Sequence, residues 1–458
     1  MDIIYSNILT KPNSMVLVFD TSKTSSLTAT IFPKGTLSIS VYWGDGTSDD
    51  YTTAGLKTHT YSTSGIYTVE ISGSMTEYGY SGTLSGSGLS GAQNLTSVTS
   101  FGDLGITSLS YGFYRCSNLT SVPNTLPSTI TNTYATFASA SKFNQDISNW
   151  NVSNVTNMNG MFSNATEFNQ PLNNWSMDNC TDVGGMFLGA TSFNSSLSGW
   201  NLSSCVTTDN MFNSAIAFNQ NINNWTLGTT NCYRMFRYAT SFNQPLNNWD
   251  VSNVKNMEYM FENATSFNQP LNNWNLSNVI WMKHMFSGAT SFNSSLSGWN
   301  LSSCTDMSSV FVNATAFNQP INDWTLNTTT NFFTDGMFQN ATSFNQPLNN
   351  WDMSKCTSTW GMFENATSFN QPLNNWNMAS CTRMPYFVSG ADLGTTAYDA
   401  TLIGWNNNKL IAANGVANWA TNIVVDFGNS RYTAGGAAAT ARAGLVSYGW
   451  TISDGGSI

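Results

Sequence analysis

The chain has 458 residues, of which 25 are acidic, 15 basic and 2 histidine; net charge is −10, and only 9% of residues are charged while 13% are aromatic. An acidic chain with no basic run lacks the electrostatic footprint of a nucleic-acid binder. Two histidines, His59 and His284, leave little for metal or general-base chemistry, and no apolar run approaches the roughly 18 residues of a membrane helix. No nucleic-acid partner, membrane insertion, metal or cofactor is therefore expected.

The opening stretch, residues 1–20, carries no basic n-region, no apolar run of signal-peptide length and no small-residue cleavage site. Residues 1–75 read as strands and turns. Asp45-Gly46 is a strong hairpin signal, and the run from His59 to Ile71 alternates apolar with polar residues. The stretch Val41-Tyr42-Trp43-Gly44-Asp45-Gly46-Thr47 with this later run resembles a PKD-type domain, which implies an immunoglobulin-like β-sandwich used as a spacer in surface proteins. Residues 76–140 read as a Gly/Ser-rich linker followed by irregular leading repeats, such as Asn94-Leu95-Thr96-Ser97-Val98.

From 141 to 390 the chain repeats. Tryptophan recurs at 150, 175, 200, 225, 249, 274, 299, 324, 351 and 376, and seven residues before each stands a Phe-Asn pair. The segment GATSFNSSLSGWNLSSC occurs at 189–205 and again at 288–304, 99 residues later, so four repeats were duplicated as a block. In one repeat Leu172, Trp175 and Met177 follow L-x-x-L-x-L spacing, and Cys180 falls where leucine-rich repeats place Asn or Cys. Each unit then buries its apolar face only by stacking on the next. The alternation around tryptophan predicts a short parallel strand there, with the following Met-Phe pairs turning the chain as a short helical or 3₁₀ segment. Asn221 and Asp146 in place of proline, Val310 in place of a methionine and an insertion at 327–336 are local irregularities. Residues 391–458 break the period, with a helical run at 434–448 and a strand at Trp450-Thr451-Ile452. They read as a C-terminal cap, which an open stack end requires.

The consensus N-W-[ND]-[VML]-S-N-V-T-N-M-x-x-M-F-x-N-A-T-x-F-N-Q-P-L, carried by residues from about 130 to 390, resembles the BspA-like leucine-rich repeat surface proteins. The resemblance implies a mainly β, leucine-rich-repeat-like solenoid with short parallel strands, on an extracellular surface and used for display and adhesion.

Among candidate residues, Cys180, Cys205, Cys304, Cys356 and Cys381 share their slot with Val155, Val254, Val279, Thr230 and Thr329, which marks a small buried side chain; adjacent cysteines could instead form a ladder disulfide. Cys116 and Cys232 complete an odd set of seven. The asparagine after each phenylalanine recurs in every repeat, which points to a structural ladder. Residues flanking tryptophan on the outward face are mostly amides, and Asn201, Asn224, Asn248, Asp250, Asn273, Asn275 and Asn300 are the candidate ligand-binding set on the expected concave face. A solubilising surface that avoids charge repulsion is the alternative reading. Asp323 and Asp352 on adjacent repeats are the best pair for an inverting glycosidase, but neither has an evident reason for a raised pKa, and no catalytic residue is assigned.

These readings converge on a non-enzymatic display and binding protein. The partner expected is a host cell-surface receptor, glycan or protein, with other virion or surface proteins held through the N-terminal domain and self-association left open. The absent export signal favours a bacteriophage virion surface component, a fibre, spike or receptor-binding adhesin. A bacterial cell-surface adhesin is the first alternative and a glycan-degrading spike the second.

Overall fold

The computed structural model describes residues 13–82, 89, 91–413 and 419–458. Residues 1–12, where the export signal was sought, and 83–88 and 90 of the Gly/Ser-rich stretch lie outside the described residues. The protein is mainly β with few helices, and it divides into two compact units, Met1–Gln220 and Asn221–Ile458.

The first unit opens with strands β1 (Met15–Asp20), β2 (Thr28–Ile31), β3 (Pro33–Tyr42), β4 (Ser48–Tyr51), β5 (Lys57–Thr60), β6 (Ile66–Tyr78) and β7 (Leu95–Phe101). Five of them form an antiparallel sheet in the order β4-β3-β6-β1-β7, while β2 pairs with β5. Alternation along β3 sends Leu37, Ile39 and Val41 inward and leaves Ser38, Ser40 and Tyr42 outside. The Asp45-Gly46 hairpin joins β3 to β4: Tyr42 pairs with Ser48, and the Trp43 amide donates to the Thr47 carbonyl at 3.0 Å. Gly44 there has φ 83°, and a Cβ would meet the Thr68 carbonyl at 2.5 Å.

Two strands of this sheet also begin the repeats. Past its antiparallel partners, β6 pairs in parallel through Glu77 with Ser108, and β7 through Ser97 with Ser121. Residues 95–101 are thus both the edge of the N-terminal sheet and the first layer beneath the repeats, and no unpaired edge is left there.

The repeats stack in register, but not through strands at tryptophan. The Trp150, Trp175 and Trp200 amides donate to the carbonyls of Ile147, Leu172 and Leu197 three residues back, which closes a turn instead. Pairing beside tryptophan is sporadic, as between Asn300 and Thr325. The regular parallel column lies six to nine residues later, running Ser108, Asn132, Asn157, Asp182, Thr207 in the first unit and Asn231, Asn256, Trp281, Asp306, Phe333 in the second. It widens into true strands at β8 (Phe332–Phe333) and β9 (Cys356–Ser358).

From this column onward every second amide reaches the next repeat. Met158, Gly160, Phe162 and Asn164 donate to the carbonyls of Asp182, Gly184, Met186 and Leu188 at 2.6 to 2.9 Å. The intervening amides of Met161, Ser163 and Ala165 donate three residues back. The expected 3₁₀-like bonds are present, but left-handed residues (Gly160, φ 63°, and Asn164, φ 55°) reverse the curl after each turn. The segment therefore advances as a ladder instead of winding into a helix.

Side chains repeat as faithfully. In the first unit Phe137, Phe162, Phe187 and Phe212 stack at 5.6 to 5.7 Å; in the second, Phe236, Phe261, Phe286, Phe311, Phe338 and Phe363 do so at 5.5 to 5.7 Å. Each repeat tryptophan is buried, and within each unit the indole N–H satisfies a carbonyl of the preceding repeat: Trp200 to Leu172 at 2.8 Å, Trp299 to Leu271 at 3.0 Å, Trp376 to Leu348 at 2.8 Å. The asparagine ladder is equally regular. The Asn169 amide donates to the Asn144 side-chain oxygen at 2.9 Å, Asn194 to Asn169 at 2.8 Å, and Asn293 to Asn268 at 2.9 Å.

The second unit ends in helix α1 (Thr395–Ala413), β10 (Val424–Asp426), helix α2 (Ala437–Ser447) and β11 (Thr451–Ser453). Helix α1 replaces one more repeat: its Trp405 indole donates to Leu373 at 2.9 Å, and its Thr401 hydroxyl accepts the Leu373 amide at 3.0 Å. The apolar end of the stack is covered by a helix that supplies the indole contact a repeat tryptophan would make.

Candidate functional site

All seven candidates of the amide face are exposed. The side-chain oxygens of Asn201, Asp250, Asn275 and Asn300 accept the amides of Ser203, Ser252, Ser277 and Ser302 at 2.9 to 3.1 Å. These are Asx turns, the local work that Asn and Asp do better than other residues, and hydrogen bonds from Ser252 hold the Asp250 carboxyl below its ordinary value. The others serve less uniformly: the Asn248 amide donates to the Asn223 side chain at 3.0 Å, Asn273 accepts from Asn272 at 3.3 Å, and Asn224 is simply exposed. The amide face thus spends much of its hydrogen-bonding capacity on its own turns.

The expected carboxylate pair is also occupied by backbone. Asp323 accepts the Gly298 amide at 2.7 Å, and Asp352 accepts the Ser354 amide at 2.9 Å. All seven cysteines are buried free thiols, and burial pushes Cys304 up to about 12 and Cys381 up to about 11. Thr230 and Thr329, expected in the same buried slot, are exposed. Thr229 and Asn327 are buried instead, the Asn327 amide reaching the Cys304 carbonyl at 3.3 Å across the inserted residues.

Chemical diversity sits elsewhere, on the ladder segment between its two methionine positions. One residue there is always left-handed. In the first unit this slot holds Tyr111, Ala135, Gly160, Gly185 and Asn210; in the second, Arg234, Tyr259, His284, Ser309, Gly336, Gly361 and Tyr386. Glycine and asparagine suit such a backbone, whereas a bulky side chain there costs on the order of 1 kcal/mol. Arg234, Tyr259 and His284 occupy it in three successive repeats. The Arg234 guanidinium lies 5.0 Å over the Tyr259 ring, and His284 stacks on Tyr259 at 5.0 Å and 13°.

Charge gathers around this column in a chain otherwise poor in it. Arg237 and Glu262 form an ion pair, and Glu258 is close enough to feel Asp306, Lys283 and Arg234. Burial raises the Glu258 carboxyl, with Asp306 adding to the shift, and burial lowers His284, so the imidazole is neutral at pH 7. Trp281 is exposed beside them. Further along the second unit, Asp335 binds the Ser358 hydroxyl and accepts the Trp360 amide at 2.9 Å, and exposed Tyr386 meets Trp360 edge-on at 6.0 Å.

Sequence reasoning counted His284 only as one of two histidines and missed the column. Its signal is the pair of variable positions in M-x-x-M-F, filled by Tyr233-Arg234, Glu258-Tyr259 and Lys283-His284 where repeats such as those of Asn159-Gly160 and Gly184-Gly185 have small residues. The cluster offers a cation–π platform, an imidazole and paired charges.

A family model described as "Mycoplasma protein of unknown function, DUF285" matches residues 107–225, 226–324 and 295–405 in tandem. No curated protein matches the chain.

Proposed function

The chain belongs to the DUF285 family, and from that premise we propose that it is a non-enzymatic binding and display protein at an outer surface, virion or bacterial. In this reading the repeats form a leucine-rich-repeat-like solenoid between a PKD-like β-sandwich and a C-terminal cap. The partner is a cell-surface receptor, glycan or protein, and the ladder face receives it.

The observation that carries this reading is the column Arg234, Tyr259, His284. Three large, chemically distinct side chains in successive repeats hold a left-handed backbone conformation that favours glycine and asparagine, and such outliers concentrate where ligands are held. The Asx turns of the amide face and the backbone partners of Asp323 and Asp352 support a structural role for the residues that the alternatives would need.

The test is fluorescently labelled full-length protein on intact bacterial cells, against a variant carrying Arg234→Asn, Tyr259→Asn and His284→Asn. Asparagine tolerates the left-handed slot, as at Asn210, so folding is retained. Cell binding should fall at least about tenfold with the melting profile kept. Equal binding by both proteins, or no binding by either, refutes the assignment.

A further inference from the structure

The first unit carries a cavity of about 290 Å³ on its own ladder face, walled by Tyr111, Tyr114 and Tyr134. We propose that it is a binding site for a neutral pyranose unit of a glycan. The proposal rests on reading the ladder face as a binding surface and names the ligand class for this part of it.

The cavity exists because side chains are missing. After Tyr111 the left-handed slot holds Ala135, Gly160 and Gly185 in successive repeats. A Cβ built at Gly160 would find its nearest neighbours 3.9 Å away, so the space is open and not filled by the next repeat. Small residues thus form a floor beside a tyrosine wall, with Leu188 at the far end.

The wall is rigid. Tyr111 meets Tyr134 edge-to-face at 5.0 Å and 81°, and Tyr114 at 5.5 Å and 79°. Tyr114 is nearly buried and stacks on Tyr80 at 6.1 Å. Polar groups on the lining remain available. The Tyr111 hydroxyl donates to the Tyr134 hydroxyl at 3.2 Å, which leaves Tyr134 its own proton to give. Asn159 donates its amide to Asp182 at 3.0 Å, leaving its side-chain oxygen to accept. Ser163 and Asn164 add a hydroxyl and an amide at the rim.

A pyranose matches this set. Its C–H face is apolar and flat enough for a tyrosine ring, and its rim hydroxyls both donate and accept. None of the residues lining the cavity is charged, so an anionic sugar would lose water around its carboxylate without a cation in return. A neutral unit bears no such cost.

The test is saturation-transfer NMR of the full chain with lactose, cellobiose, maltose and chitobiose at millimolar concentration, beside a glucuronate-containing disaccharide. At least one neutral sugar should bind. Tyr134→Phe should weaken it about three- to tenfold, the effect of one hydrogen bond, and Ser163→Leu should abolish it while leaving the melting profile unchanged. Failure of every neutral sugar, preference for the acidic one, or binding that survives Ser163→Leu overturns the proposal. A chain that binds cells yet fails this test refutes the pocket alone and leaves the display reading intact.

Discussion

Trp299 and Trp281 separate what the stack needs from what it merely carries. Trp299 is fully buried, its indole donates to the Leu271 carbonyl at 3.0 Å, and its ring stacks on Trp324 at 5.3 Å. Trp299→Phe removes one of the two donors to that carbonyl, which still accepts the Trp274 amide at 3.1 Å, so the lost hydrogen bond costs about 0.5–1.5 kcal/mol. The lost part of the ring adds about 1 kcal/mol of apolar burial. The sum, about 1.5–2.5 kcal/mol, falls on the interfaces between neighbouring repeats because a repeat contacts only the ones beside it. Native-state hydrogen exchange followed by mass spectrometry reads this locally: amides around Leu271 and Trp324 should exchange roughly 10- to 70-fold faster. Trp281→Phe, at a residue 43% exposed, should change exchange less than about threefold. Equal effects of the two substitutions, or less than a threefold change for Trp299→Phe, would refute the reasoning.

Three further outcomes follow from other parts of the molecule. Burial acts to raise the Asp45 carboxyl, but hydrogen bonds from Thr47 and His59 outweigh it and hold the group down to about 2 from an ordinary 3.8. Its contribution to stability is therefore complete above about pH 4 and fades as pH falls towards 2; melting curves of the wild type and Asp45→Asn should differ at pH 6 and converge at pH 2. The seven thiols should ignore a disulfide reagent at pH 8 until denaturant is added, since all are buried; prompt reaction in the native state would contradict their placement. Asn293→Ala deletes the oxygen that accepts the Asn318 amide at 2.8 Å and the Gln319 side chain at 3.0 Å. At an exposed position this should cost about 1 kcal/mol in urea unfolding, and a loss below about 0.3 kcal/mol would remove the ladder's energetic role.

Much of this architecture could be read from residues alone, and the exceptions have physical causes. The period, the buried tryptophan, the phenylalanine columns and the asparagine ladder follow from recurrence, because a side chain that returns every repeat meets its own kind above and below. The location of the parallel column did not follow. Inward-outward alternation around Trp150 has the period of a strand, but a turn closed by the Trp150 amide and an Asx turn at Asn151 produce the same alternation. Left-handed backbone at Arg234, Tyr259 and His284 was hidden because none of these residues announces it as glycine does. The amide face drew attention by uniformity, and four of its seven residues close Asx turns with their side-chain oxygens. The chemically diverse side chains lie where the repeat varies. Helix α1 was missed because its apolar residues serve the stack end, with Trp405 standing in for a repeat tryptophan.

The most direct test of surface display is immunogold labelling, with antibody against the folded chain, of intact unpermeabilised cells that make the protein and of any virus particles they release. Gold on the outside of the envelope or of the particle is the predicted result, and which of the two carries it assigns the surface. Gold confined to the cell interior, appearing only after sectioning, would contradict the account.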